Sequence, residues 1–280
     1  MVNGRWMRAG IVGASIALAA VLYFLPKGSG VGNNAKPKQE PVETAGAFSE
    51  EGFKKKSKSL LPFNLIAKAD SLEGLLNDSP KDTTILDTLV SFWDSANSPG
   101  IAAGYSKQKA TQTGLEQDWI NAAYRYFDAT KAATDSLESV WFVSQAMEAY
   151  NKVLEINPKN LNAKTDLGIL YAEASPEPMK GITLLREVVA ENPLHENAQM
   201  NLGFLSMKSG QYDKAIERFN QVLKINSSRI DMHVYIGEAY LQKGDNENAI
   251  RNYEIFKNLS NDQEMNQQID DYIKEIKSRK

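Results

Sequence analysis

The chain has no cysteine and only two histidines among its 280 residues. The first absence excludes a disulfide framework, thiolate metal sites and cysteine nucleophiles. The second leaves His195 and His233, neither with neighbouring ligands at metal spacing, as packing or surface residues. Charge of one sign is not in excess either: 32 basic against 35 acidic residues give a net charge of −3, and no global field points to nucleic acid. No serine sits in a Gly-x-Ser-x-Gly turn. Gly28-Ser29-Gly30-Val31-Gly32 follows no strand and lacks the Lys-Ser/Thr of a phosphate loop, so its glycines are linker chemistry. The sequence nominates no catalytic residue, no cofactor site and no metal site, and the expectation is a chain that is not an enzyme.

Long apolar runs are scarce. The exception is 9–25, preceded by Arg5 and Arg8 and ended by Pro26-Lys27. Its length is at the short limit of a bilayer span, and it stands at the terminus beside a flexible stretch, where a buried soluble helix rarely sits. Residues 1–27 are read as a signal anchor, a single transmembrane helix through 9–25. The alternative is a cleaved signal peptide, with small residues at Ala17 and Ala19 or at Gly28 and Gly30, which releases the chain into the periplasm. Without a cysteine a lipoprotein signal is excluded. The charges nearest the run favour an amino terminus inside and a body outside the cytoplasm, in the periplasm of a bacterium. Residues 28–47, made of Gly, Pro, Asn, Lys and Glu with few large apolar side chains, form a disordered tether.

From 48 the pattern turns helical. Glu50 and Glu51 stand four residues before Lys54 and Lys55, which predicts ion pairs on a solvated helix face. Pro62 bends or ends that helix, and Leu65, Ile66, Leu72, Leu75 and Leu76 resume an amphipathic spacing in the remainder of 48–80.

What dominates the rest is repetition. Leu167-Gly168 with Tyr171, Leu202-Gly203, and Ile236-Gly237 with Tyr240 recur at steps of 35 and 34 residues, and Pro158 and Pro193 keep the same step. Ala215 and Phe219 follow Gly203 at the offsets at which Ala249 and Tyr253 follow Gly237. These residues resemble the tetratricopeptide repeat (TPR) family, whose unit is a helix-turn-helix of about 34 residues. A glycine inside a helix costs roughly 1 kcal/mol against alanine, so three at one phase require a close approach of two helices. Gly210 and Gly244 sit where left-handed caps end the first helices. Trp119, Ala122, Ala123 and Tyr126 repeat the pattern upstream with an insertion between Phe127 and Val140, and Leu86, Leu89, Val90 and Trp93 give a degenerate copy. Units are placed at 81–115, 116–160, 161–195, 196–229 and 230–260, with a capping helix at 261–280, where Met265, Ile269, Tyr272, Ile273 and Ile276 have helical spacing.

The fold expected is all-α: a TPR-like solenoid of helical hairpins in a right-handed superhelix, preceded by the transmembrane helix. The resemblance implies a concave groove lined by first helices, and by phase the inward residues are Ile120, Tyr124, Phe127, Thr165, Ile169, Met200, Phe204, Met207, Val234 and Leu241. Gln117, Asn162, Asn197 and Glu238 are interspersed. The expected stripe is thus largely apolar. Chaperone-tail receptors of this family use a Lys/Arg/Asn clamp for a terminal carboxylate; aromatic or aliphatic residues and Glu238 replace most of it here, so that ligand is not implied. A stripe rich in Met and Phe suits an amphipathic segment of a protein or peptide partner. Its alternative occupants are the chain's own helices within 48–77 and a second copy in a homo-oligomer. The functional expectation is a membrane-anchored scaffold. Alternatives are a non-catalytic positioning subunit of an envelope enzyme or secretion complex, and a cytosol-facing membrane receptor.

Overall fold

The computed structural model describes residues 48–278, which form thirteen helices; the expected anchor and tether lie outside the described residues. In chain order these are α1 Glu50–Ser59, α2 Phe63–Asp78, α3 Thr83–Ser95, α4 Pro99–Thr113, α5 Glu116–Ala132, α6 Ser136–Ile156, α7 Leu161–Ala174, α8 Pro178–Glu191, α9 Glu196–Lys208, α10 Tyr212–Ile225, α11 Asp231–Gln242, α12 Asn246–Leu259 and α13 Gln263–Ser278. No strand occurs among the described residues, and none of their helices is long and apolar enough to cross a membrane.

Local chemistry sets the helix boundaries. Asp82, Asp135, Asn160 and Asp245 each accept a backbone N–H of the first turn of the helix they precede, which satisfies donors the helix cannot. Gly210 and Gly244 terminate α9 and α11 with φ of 71° and 78°, a region in which a side chain is strained. Pro62 is the N-cap of α2.

From α3 the helices pack as antiparallel pairs, α3/α4, α5/α6, α7/α8, α9/α10 and α11/α12, each second helix also meeting the first helix of the next pair. This is an all-helical TPR-like solenoid. The extra residues of the second pair lengthen both of its members: α5 has 17 residues and α6 has 21, against 14 in each of α7 and α8. The core runs along the pairs as successive clusters, around Tyr126, Phe142 and Tyr150, then Leu185 and Leu202, then Phe219, Met232 and Ile236. At the carboxyl end α13 lies on α12 and buries Ile269, Ile273 and Ile276, leaving its polar side chains to water.

The glycine register has a direct steric cause. A Cβ on Gly203 would come within 2.5 Å of the Phe219 ring of the paired helix. The tightest approach is in the third pair, where a Cβ on Gly181 would stand 2.2 Å from the Gly168 carbonyl oxygen and 2.5 Å from the Ala172 nitrogen. Backbone meets backbone there, so the glycine at the place where alanine is usual is what lets α7 and α8 touch.

The amino-terminal helices depart from the expected plan. Lys54 does not pair with Glu50 along a solvated face; Lys54 and Lys58 reach Glu73 of α2 at 3.1 and 2.8 Å, and Tyr105 of α4 donates to the same carboxylate at 2.9 Å. Burial works against the Glu73 charge, but hydrogen bonds from Lys58 and Tyr105 and the charge of Lys54 outweigh it and hold its pKa below the usual range. Phe48, just before α1, stacks on Trp141 at 4.5 Å, and Phe53 meets Phe142 edge-on at 5.4 Å. Thus α1 lies against α4 and α6, two successive second helices, on the side away from the expected groove.

Candidate partner-binding face

The first helices α5, α7 and α9 each carry a stripe of exposed and half-buried residues. On α5 it runs through Gln117, Asn121, Tyr124 and Asp128; on α7 through Asn162, Asp166, Ile169 and Glu173; on α9 through Asn197, Asn201, Phe204 and Lys208. These spacings of four, three and four residues are one side of an α-helix. The stripe is rotated from the one expected by about one residue at its second position. There the sequence reading placed Ile120, Thr165, Met200 and Val234; Thr165 and Val234 are only 1% and 6% exposed and Ile120 and Met200 are half-buried, while of their neighbours Asn121 is exposed and Asp166, Asn201 and Tyr235 are half-buried.

The cause is the seam between pairs. Met200 and Met207 lean into the cluster of Phe219, Met232 and Ile236, and the Arg229 guanidinium, held by Glu196 and Asp231 at 2.9 and 2.8 Å, lies against the Met200 sulfur. The apolar residues one step inside the stripe thus close gaps between successive pairs, and the polar ones take the water-facing edge. The face is therefore amide- and carboxylate-bearing, with apolar side chains set among the polar groups.

The expected groove residues fall into three groups. Tyr124 is open, at 61% exposure. Phe127, Ile169, Met200, Phe204, Met207 and Leu241 are half-buried; Phe204 packs edge-on to Tyr235 at 4.8 Å and against Phe219 at 5.2 Å. Val234 and Glu238 are buried. Glu238 is enclosed by the chain's own cap, accepting from Tyr253 at 3.3 Å and Tyr272 of α13 at 3.5 Å, and from Gln242 at 2.8 Å. The open part of the stripe therefore runs along α5, α7 and α9.

Asp166, Asn121 and Asn201 were not singled out from sequence, because family phase alone places the inner neighbour of each on the groove. The two histidines have packing roles. His195 accepts the Ala198 N–H through Nδ1 at 3.3 Å and caps α9, while its Nε2 lies 3.0 Å from the Asn162 oxygen; a neutral ring with its proton on Nε2 satisfies both. His233 sits 3.3 Å from the Asn252 side-chain oxygen. Among the described residues no three metal-ligating side chains converge.

Comparison with known proteins bears on the register just described. A family model for the TPR repeat matches residues 203–244, which take in the last six residues of α9 and all of α10 and α11. This part of the chain is similar to a TPR repeat. Over 113 residues, 39% of this chain and 10% of the relative, the sequence is 29% identical to the RNA polymerase-associated protein CTR9 of Saccharomyces cerevisiae. Over 134 residues, 46% of this chain and 21% of the relative, it is 24% identical to the mitochondrial import receptor subunit TOM70 of Rattus norvegicus. The matched region thus spans between a tenth and about a fifth of these relatives. In structure the chain is similar to MamA from Desulfovibrio magneticus RS-1, with a TM-score of 0.51 at 18% identity over 63% of this chain and 93% of that one, which is likeness of fold.

Proposed function

We propose that the chain is a non-catalytic TPR scaffold that docks a segment of a protein partner on the first-helix face, held at a membrane by residues 9–25. The observation that carries this reading is the stripe of α5, α7 and α9, where the exposed Tyr124 and the half-buried Ile169 and Phe204 alternate with Asn121, Asp166 and Asn201. Apolar side chains can bury a partner's side chains, and amides can both donate to and accept from its backbone. Helix α1 is committed to α4 and α6 through Phe48 and Phe53, and α2 packs on α3.

The apolar run 9–25 with Arg5 and Arg8 before it supports single-pass anchoring, and the charges nearest the run support a periplasmic body. A 28–47 tether would confine the scaffold to the membrane surface and raise the local concentration of any partner there. The test is photo-crosslinking in intact membranes. Tyr124→benzoylphenylalanine reports on the open stripe, and Lys224→benzoylphenylalanine, on the exposed side of α10, is the control. A discrete protein captured from Tyr124 and not from Lys224 is the expected result. Capture of only the chain's own residues, or of a second copy, would make the stripe a structural contact and remove the proposal.

A further inference from the structure

The second position of the open stripe reads Asn121, Asp166, Asn201 and Tyr235 along the solenoid. Three of these are satisfied locally: Asn121 accepts from Gln117 at 3.2 Å, Asn201 donates to the Asn197 carbonyl at 2.8 Å, and Tyr235 packs its ring on Phe204 and Phe219. Asp166 differs. Its carboxylate is half-buried and accepts one hydrogen bond among the described residues, from the Tyr150 hydroxyl at 3.1 Å. Among the described residues no lysine or arginine pairs with it: Lys164, on the same helix, turns instead to Glu187 at 3.6 Å. His195 is the cationic-capable group near enough to influence it, and that ring is already engaged by Ala198 and Asn162. Desolvation raises the Asp166 pKa, and the Tyr150 bond and His195 only partly oppose the rise.

A carboxylate has about four acceptor positions, and one neutral donor leaves most of them open. Ionised and partly desolvated without a cation, the group costs the fold stability. An incoming cation recovers that cost, whereas a neutral ligand recovers little of it. Tyr124 faces solvent on the same face of the preceding first helix. An exposed aromatic ring and an unpaired carboxylate are complementary to the same kind of side chain, a long cation with an apolar stem.

We propose that Asp166, with the Tyr150 hydroxyl and the Tyr124 ring, forms a subsite that receives a lysine or arginine side chain of the docked partner segment. The subsite rests on the first-helix face being a peptide-binding surface and adds a requirement for positive charge at one position of the ligand. Glu173, two turns further along α7 and exposed, extends the same sign of charge along the stripe.

The experiment uses the full-length chain and a degenerate decapeptide library in which each position is fixed in turn as every residue except cysteine. The expected result is enrichment of Lys and Arg at one position by about tenfold over Gln and Leu, abolished in Asp166→Asn and reduced several-fold in Tyr124→Leu. Glu173→Gln should leave that selection in place. Because Asp166→Asn keeps an acceptor for Tyr150 and relieves a desolvated charge, it should fold, and its thermal melt verifies that it has. Peptide binding without basic selection, or with selection unchanged in Asp166→Asn, would overturn the subsite and leave the binding face standing. Absence of any peptide binding would overturn both. Benzoylphenylalanine at position 124 that captures residues 1–47 or a second copy in preference to the selected peptide would also overturn it, by naming another occupant.

Discussion

The two ends of the described solenoid are held together differently. From α9 to α12 the pairs follow one register: Gly203 admits the Phe219 ring, Gly237 admits the Tyr253 ring, and Gly210 and Gly244 end the first helices with positive φ. From α1 to α6 the register is looser. There the pairs are braced from outside by α1, whose Phe53, with Phe48 before it, joins Tyr126, Trp141 and Phe142 in one aromatic cluster, while Lys54 and Lys58 tie it to Glu73. A regular repeat closes on its neighbours through nearest-neighbour contacts. A degenerate one leaves apolar surface uncovered, and an additional helix covers it.

That contrast can be broken at either end. The largest effect is expected from Phe142→Ala, which removes a 2%-exposed ring on which α1, Gly100 and Tyr126 converge; about 3–4 kcal/mol should be lost in urea unfolding. A broadened transition, with α1 released first, would confirm bracing, and a single unchanged slope would argue against it. Next is Gly181→Ala, where the added methyl meets the Gly168 carbonyl and the Ala172 nitrogen and not a movable side chain. About 2–3 kcal/mol is expected by the same measurement, while Gly74→Ala, with nothing near its Cβ, should not destabilise.

Two carboxylates sharpen the comparison by responding to pH with opposite sign. Glu73 has its pKa lowered in the fold, so its contribution is present above its unfolded pKa and is lost as pH falls through the folded one. Glu73→Gln should cost about 1–2 kcal/mol at neutral pH, and that cost should vanish in acid as α1 loosens in the native protein too. Asp166 has its pKa raised, so the fold is favoured while the group is protonated and loses stability as pH climbs through the folded value. The smallest effect follows: Asp166→Asn should raise the melting temperature at neutral pH by roughly 1–3 °C, with no gain in acid. A lower melting temperature at neutral pH would show that the carboxylate is compensated after all.

What could be read in the sequence was whatever depends on neighbours along the chain or on a fixed repeat period. The phase of Gly168, Gly203 and Gly237, the turn glycines, the break at Pro62 and the apolar side of α13 are of this kind, since 3.6 residues per turn converts spacing into a face without further information. The open stripe was legible only to within one residue per turn. Tyr124 stands in the open, but whether Thr165 or Asp166 faced water depended on how far each pair rotates against the next. That rotation is set by side chains in the seam, Met200, Met207 and Arg229 among them, which come together only after folding. The same holds for α1. Its lysines carried pairing partners four residues away in sequence, yet a half-buried Glu73 gains more from them than an exposed Glu50 does, because an ion pair is stronger where water screens it less. The sequence by itself determined a stack of helical pairs and which residues keep them close. Only the tertiary structure decided which side α1 covers and that the half-buried Asp166 carboxylate sits on the first-helix face with the Tyr150 hydroxyl as its donor.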